Sequence, residues 1–202
     1  TFVADKVLVD VTQGKIWCCA REYQNSIDES VYRTLCDEID RIGLEGFTVL
    51  ASTIKHSSGG YIFFKGLARN ITSIKGMLSG VDGLWIEEGE NLSDNTLRVL
   101  TASLRNSAKD YENMLALGID IGDMTVPEIW VSMNRGSRGD PISKKWLARA
   151  ESSLSRNQYY EDDNLMIVEA NYLDMPRAWF LGSGLEQERA DDELTMTPAQ
   201  YR

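Results

Sequence analysis

The chain has one histidine and three cysteines in 202 residues. The single histidine, His56, falls at a turn, and no Ser/His/Asp set accompanies it, so a structural or solvated role is expected. Cys18, Cys19 and Cys36 are odd in number and two of them are adjacent. That pattern is no disulfide framework and no metal-ligand spacing. Cys18 and Cys19 lie in an apolar run, where cysteine acts as a small hydrophobe, and this usage fits a reducing cytoplasm. No apolar stretch approaches the roughly 20 residues of a membrane span. Thr1 to Leu8 is apolar-rich but lacks the basic start and the cleavage site of a signal peptide. Positive charge is short as well: 21 Lys and Arg stand against 31 Asp and Glu, a formal net charge of −10. The balance argues against nucleic-acid binding by the whole surface. A local basic track stays open, through Lys65, Arg69 and Lys75 and through Arg135, Arg138, Lys144, Lys145 and Arg149. Scattered solvated positives are the simpler reading.

What is present is an ordinary globular composition, 43% hydrophobic and 26% charged, long enough for one domain with a real core. Phe2 to Val11 reads as a helix ended by Gly14, with no N-cap before it, so the helix is expected to start upstream of residue 1. Lys15 to Ala20 reads as a buried strand. A second helix opens with a capping box, Ser26 with Glu29, carries Ile27, Val31, Leu35, Ile39 and Ile42 as its buried stripe, and stops at Gly43. Phe47–Ala51, Thr53–His56 and Tyr61–Phe64 read as short strands, with Gly59-Gly60 as a hairpin signal. A looped segment, 66–83, precedes a central strand at 84–86. Ser93 is expected to cap a helix carrying Leu97, Leu100 and Leu104. A strand over 129–133, a helix over 141–150, a polar loop over 151–164, a strand over 165–169 and a partly helical tail from Glu186 complete the pass. The alternation is that of a wound α/β sheet with crossover helices.

The central strand carries the most information. Leu84-Trp85-Ile86-Glu87-Glu88-Gly89-Glu90 is an apolar run that ends in consecutive acids. Ligands of open α/β sheets bind outside the carboxyl ends of strands, where these acids would lie. Paired carboxylates there suit Mg²⁺-dependent phosphoryl chemistry, one acid helping to hold the metal and the next orienting or deprotonating a water. Successive strand residues point to opposite sides, which would let the two acids face different groups. The same pattern also closes ordinary strands.

Several segments together resemble the ATPase domain of the large terminase subunit, the DNA-packaging motor of tailed phages and prophages. They are Cys19-Ala20-Arg21-Glu22 with Gln24-Asn25-Ser26-Ile27 and Ser30-Val31; Phe64-Lys65-Gly66-Leu67 with Ile74-Lys75-Gly76; Leu84 to Glu90; Ile129-Trp130-Val131-Ser132-Met133-Asn134; and Asn171-Tyr172 with Pro176. The resemblance spans about Lys15 to Pro176. It implies a RecA-like (ASCE) P-loop NTPase, α/β with a mainly parallel wound sheet and flanking helices, over residues 1–202. It makes Glu87 the Walker B acid on the Mg²⁺ side and Glu88 the catalytic glutamate that polarises water. Ser132 and Asn134 take the place of the coupling motif that senses the γ-phosphate, against a plain strand-end turn. Arg21 is a candidate for the ATP pocket, with an ion pair to a neighbouring acid as the equal alternative. Lys75 and Arg69 are candidates for a basic finger offered to a neighbouring subunit, where positive charge would offset charge on the transferred phosphoryl group. Implied partners are double-stranded DNA, the portal protein, the small terminase subunit and further copies in a ring on the procapsid, with no membrane. The implied place is the cytoplasm of the bacterial host cell.

The chain also departs from that family. A Gly-x-x-x-x-Gly-Lys-Ser/Thr phosphate loop is absent from these residues and is expected just upstream. The family's C-terminal nuclease domain is not supplied by these residues, so no DNA cleavage is expected from this segment. Residues 106–126 stand where relatives join in a few residues, as a subunit or portal contact or, more simply, a tolerated insertion. Gly76 and Gly89 replace Ser and Ala, and Gly89 should loosen the turn after the acids. Two rival readings follow: another RecA-like ATPase such as a helicase, or a degenerate prophage protein that binds partners without hydrolysing ATP. Retention of two adjacent acids counts against the second, because such a pair is costly without a cation.

Overall fold

The computed structural model describes residues 2–22, 30–68, 71–104, 112, 115–118, 126–170 and 174. These form two compact units, 1–145 and 146–202. No described helix is long and apolar enough to cross a membrane.

The first unit is built on a six-stranded sheet. In chain order its elements are α1 (Phe2–Thr12), β1 (Ile16–Arg21), α2 (Val31–Ile42), β2 (Phe47–Leu50), β3 (Thr53–His56), β4 (Tyr61–Gly66), α3 (Ile71–Met77), β5 (Gly83–Glu87), α4 (Asp94–Ser103) and β6 (Glu128–Ser132). The strand order is β2-β3-β4-β1-β5-β6. Strands β4, β1, β5 and β6 run parallel, whereas β2, β3 and β4 form an antiparallel meander. The chain steps from β1 to β4 in one direction, then reverses to β5 and on to β6. Right-handed crossovers therefore put α2 on one face and α3 and α4 on the other. The C-terminal ends of β1 and β5 flank the reversal, the switch point where open α/β sheets bind ligands.

Strand alternation fixes the core. Trp17, Cys19 and Trp85 share a face with Ile54 and Ile62, and they pack against Ala4, Val7, Leu8 and Val11 of α1 and Val31, Leu35 and Ile39 of α2. The spacing 4, 7, 8, 11 is the apolar stripe of a helix lying on a sheet. Cys18, Ala20, Leu84 and Ile86 point the other way and are equally buried. Every residue of β1 from Trp17 on is buried, as a central parallel strand requires. Burial pushes the Cys18 thiol up to about 12, which makes it an inert core atom. Gly43 ends α2 in the left-handed conformation at φ 72°, its N–H returning to Ile39 O.

The structure corrects four sequence readings. Residues 66–83 are not all loop: α3 lies within them, and Ile74 with Leu78 just after it is buried at helical spacing. Gly76 inside so short a segment hides that period. Ile42, the last residue of α2, is 44% exposed and lies off the buried stripe of Val31, Leu35 and Ile39. The stretch from Pro141 continues as a π-helical turn, Ser143–Leu147, rather than as a regular helix. Residues 151–164 contain a helix, α5 (Glu151–Asn157), and a strand, β7 (Tyr159–Asp162), which pairs antiparallel with β8 (Leu165–Val168) in the second unit. A single apolar residue in the seven of α5, Leu154, defines no period, though it is buried. The expected capping box at Ser26 and Glu29, the motif at Asn171, Tyr172 and Pro176, and the tail from Glu186 lie outside the described residues. His56 lies tilted against the Phe47 ring and contacts Ser58 Oγ and Glu45 O.

Candidate functional site: the acid pair at the end of β5

The sequence that makes β5 buried also makes it stop at the site. Gly83 to Ile86 are all buried, and Glu87, the next residue, is the first that emerges. Gly83 is required at the strand's start, since a Cβ would lie 2.4 Å from the Trp17 ring. Glu87 is the last strand residue, and Glu88 then adopts a left-handed backbone at φ 52°, rare for a residue with a side chain. A 3₁₀ turn, Gly89–Asn91, follows and delivers the chain to Ser93. Ser93 Oγ accepts from Thr96 N and caps α4, the helix start expected from sequence.

The left-handed step changes where the acids point. The two side chains do not diverge to opposite sides, as strand alternation alone suggests, but meet one guanidinium. Arg21 Nε lies 2.9 Å from Glu87 Oε2, and its Nη2 pairs with Glu88 Oε1. Arg21 ends β1, beside β5, and its side chain is only 7% exposed, against 23% for Glu87 and 45% for Glu88. One delocalised cation thus balances two carboxylates, a task that suits the planar fork of arginine. Of the two sequence readings of Arg21, the ion pair is the arrangement present. Ser30 Oγ donates to Glu87 Oε2 at 2.7 Å. Ser30 stands at the N-cap of α2 without capping it, so its hydroxyl serves the acid instead. No sequence signal marks this contact, because helical period does not report where a hydroxyl points.

The other candidates lie around this centre. Ser132 is in register with Glu87 on the neighbouring strand, and its Oγ accepts the Trp85 indole N–H at 3.0 Å. Asn134 is tied to the third acid: its backbone N–H donates to Glu90 Oε2 at 3.3 Å, and its Nδ2 lies 3.5 Å from Oε1. Gly89 does not loosen the turn. A Cβ there would fall 2.5 Å from Val131 Cγ1, so the turn is seated against β6. Lys75 is exposed in the last turn of α3. Arg69 lies outside the described residues. Lys144, Lys145 and Arg98 line a groove with Asp94, Asn95, Leu97 and Pro141 beside the start of α4.

Glu22 is a residue of the site that side-chain reasoning from sequence left without a role. It follows Arg21, is 8% exposed, and accepts from Thr96 Oγ1 at 3.3 Å. Burial raises its pKa, and hydrogen bonds from Thr96 and the Ser93 backbone oppose that rise.

The phage terminase large subunit family matches residues 2–202. No curated protein matches the chain. Among solved structures it is similar to the N-terminal domain of the DNA packaging ATPase from bacteriophage phi29, at 14% identity and a TM-score of 0.54, over 87% of this chain and 84% of that one. It is similar to the large terminase of a thermophilic bacteriophage, at 11% identity and a TM-score of 0.56, over 98% of this chain and 42% of that one. A third similar structure is the bacteriophage phi29 viral genome packaging motor assembly, at 14% identity and a TM-score of 0.52, over 94% of this chain and 55% of that one. The chain thus spans less than half the length of the thermophilic phage's large terminase. The fold is the RecA-like α/β arrangement of terminase ATPase domains, and the chain belongs to the phage terminase large subunit family.

Proposed function

We propose that this chain is the ATP-hydrolysing motor domain of a terminase large subunit, which drives double-stranded DNA into a procapsid. The observation that carries the reading is the Glu87–Glu88 pair at the exit of β5, at the switch point of the sheet, held by Arg21 and Ser30. The donor set fits Mg²⁺. Carboxylate oxygens are hard ligands, and Mg²⁺ characteristically takes one or two of them together with substrate phosphates and water. No described cluster of three or more His, Cys, Asp or Glu side chains competes as a metal cage. Mg²⁺ bound with ATP would neutralise charge on the transferred phosphoryl group.

The remaining roles belong to the protein. Glu87, at the strand end and braced by the Ser30 hydroxyl, is the metal-side carboxylate. Glu88, the more exposed of the two, orients the attacking water and accepts its proton. Arg21 offsets the repulsion between them and contributes positive charge to the ATP pocket. Ser132 and Asn134 couple the site to the parts that move DNA, through Trp85 and Glu90. Lys75 and Arg69 serve a neighbouring subunit's site as a basic finger in a ring of copies, seated on the portal with the small terminase subunit, in the host cytoplasm. The DNA-packaging activity named for the phi29 relatives supports the same reading.

The test is steady-state ATP hydrolysis by the full-length large subunit and its Glu88→Gln variant. Loss of a proton acceptor in the site is expected to lower kcat by about 10²–10⁴-fold. Equal rates for the two proteins, or no hydrolysis by the wild type with DNA and partner subunits present, would overturn the proposal.

A further inference from the structure

The structure assigns a positioning role to Glu22: its carboxyl ties the exit of β1 to the first turn of α4 and so fixes the loop that carries Glu87 and Glu88. The inference rests on the proposed ATPase reading for its effect on rate, but not for its effect on the loop.

The geometry is a short relay across the sheet edge. Ser93 Oγ donates to Thr96 Oγ1 at 2.8 Å, and Thr96 Oγ1 donates to Glu22 Oε1 at 3.3 Å. Residues 87–93 are therefore held at both ends. One end is β5, paired on each side, and the other is a helix start pinned to Glu22. Between them the loop has few backbone bonds of its own, Asn91 N to Glu88 O and Leu92 N to Gly89 O. Adjacent residues divide the work. Arg21 holds the two carboxylates by charge, and Glu22 holds the helix that follows them. The backbone carbonyl of Glu22 also accepts from Leu67 and Ala68, so its main chain secures the β4 exit whatever its side chain does. That separates the side-chain role from local folding.

A purely structural explanation accounts poorly for a carboxyl here. Thr96 is 3% exposed and Glu22 is 8% exposed, and Glu22 Oε2 is buried with no hydrogen-bond partner. Burying a carboxyl with one oxygen unsatisfied costs free energy that an apolar side chain in the same space would not. What the carboxyl supplies is an oxygen acceptor for the Thr96 hydroxyl, which an apolar side chain cannot offer. The loop it steadies leads from a left-handed Glu88, a conformation that persists only where its surroundings dictate it.

The experiment uses the full-length large subunit with Glu22→Ala, Glu22→Gln and Thr96→Val. Amide hydrogen exchange is followed over 88–97, and kcat and KM for ATP are followed beside it. Glu22→Ala is expected to lose protection at Leu92 and Leu97 by roughly tenfold while amides of β1 and α1 keep theirs. Its kcat is expected to fall by up to about 10²-fold with KM moved less than about threefold, because the substrate still binds but the water-orienting group is misplaced. Glu22→Gln should recover most of both effects, and Thr96→Val should move both in the same direction as Glu22→Ala. If Glu22→Ala fails to fold, Thr96→Val carries the test. Unchanged exchange over 88–97 in the folded variants overturns the inference, whether or not the wild type hydrolyses ATP. So does a kcat within about twofold of an active wild type. Failure of the ATPase reading shows separately, in the wild type and Glu88→Gln.

Discussion

Arg21→Met removes the charge at the centre of the site while keeping an unbranched stem in the same channel. The guanidinium has two carboxylates within ion-pair reach, and its own side chain is 7% exposed. At an effective dielectric near 20, an ion contact at 2.9 Å, the Arg21–Glu87 distance, represents about 5 kcal/mol of gross attraction. Most of that is offset by the cost of drying the charges. Breaking a fully buried pair costs about 3–5 kcal/mol, because the stranded charge cannot rehydrate. Here Glu88 is 45% exposed and Glu87 23%, so water reaches both once the cation is gone. A loss of about 2–3 kcal/mol is the expected result. For a chain of this size that corresponds to a fall in Tm of about 4–12 °C. The assay is thermal unfolding followed by tryptophan fluorescence, since Trp17 and Trp85 lie in the core on the same face of the sheet. Arg21→Lys should recover less than half of the loss, because a point charge cannot span both carboxylates. Adding Glu88→Gln to Arg21→Met should recover about 1 kcal/mol or more, the signature of direct coupling. A Tm for Arg21→Met within about 1 °C of wild type, or no coupling in the double variant, would refute the reasoning.

Three further outcomes follow from the same geometry. Gly89→Ala sets a methyl 2.5 Å from Val131 Cγ1 and should lower stability by about 1–3 kcal/mol, read from the urea midpoint. Ser132→Ala strands the indole N–H of Trp85, which is 5% exposed, at a cost of about 1–3 kcal/mol, with a shift in tryptophan emission as the accompanying sign. Glu22 has its pKa raised by burial, so it binds a proton more tightly folded than unfolded. Its stabilising contribution is complete below the ordinary glutamate range and is lost as pH rises through the folded value. Glu22→Gln cannot ionise, so its Tm relative to wild type should climb as pH rises above the ordinary glutamate range. A difference that stays flat across that range would show that Glu22 is not buried as described.

The parts of the fold with strong periods were legible in the sequence. Val3, Val7 and Val11 announced a helix, although Phe2, of the same stripe, is exposed; the run from Lys15 to Ala20 announced a buried strand, and Ser93 announced a cap. The acids at 87 and 88 were legible for the same reason, since an apolar run must end where the strand leaves the core. Helix α3 and the pair α5–β7 were not, because each shows too few apolar residues to define a period. The convergence of Glu87 and Glu88 was hidden by a single backbone angle. Strand alternation predicts opposite directions, and the left-handed Glu88 cancels it. Ser30 and Glu22 were hidden more deeply. Their importance comes from partners 57 and 74 positions away in the chain, a distance over which no local pattern carries information.

Asp10 in the last turn of α1 has a mechanical meaning. Its carboxylate takes Lys6 Nζ at 2.6 Å, Lys15 Nζ at 3.2 Å and the Trp17 indole N–H at 3.2 Å, while Lys6 also reaches Glu128 of β6. A negative charge at a helix C-terminus is disfavoured by the helix dipole, so these cations are what keep it there. The turn from α1 into β1 is thereby stiffened like a welded elbow, braced to the neighbouring strand. The same carboxylate joins the end of α1 to the start of the strand whose far end is Arg21.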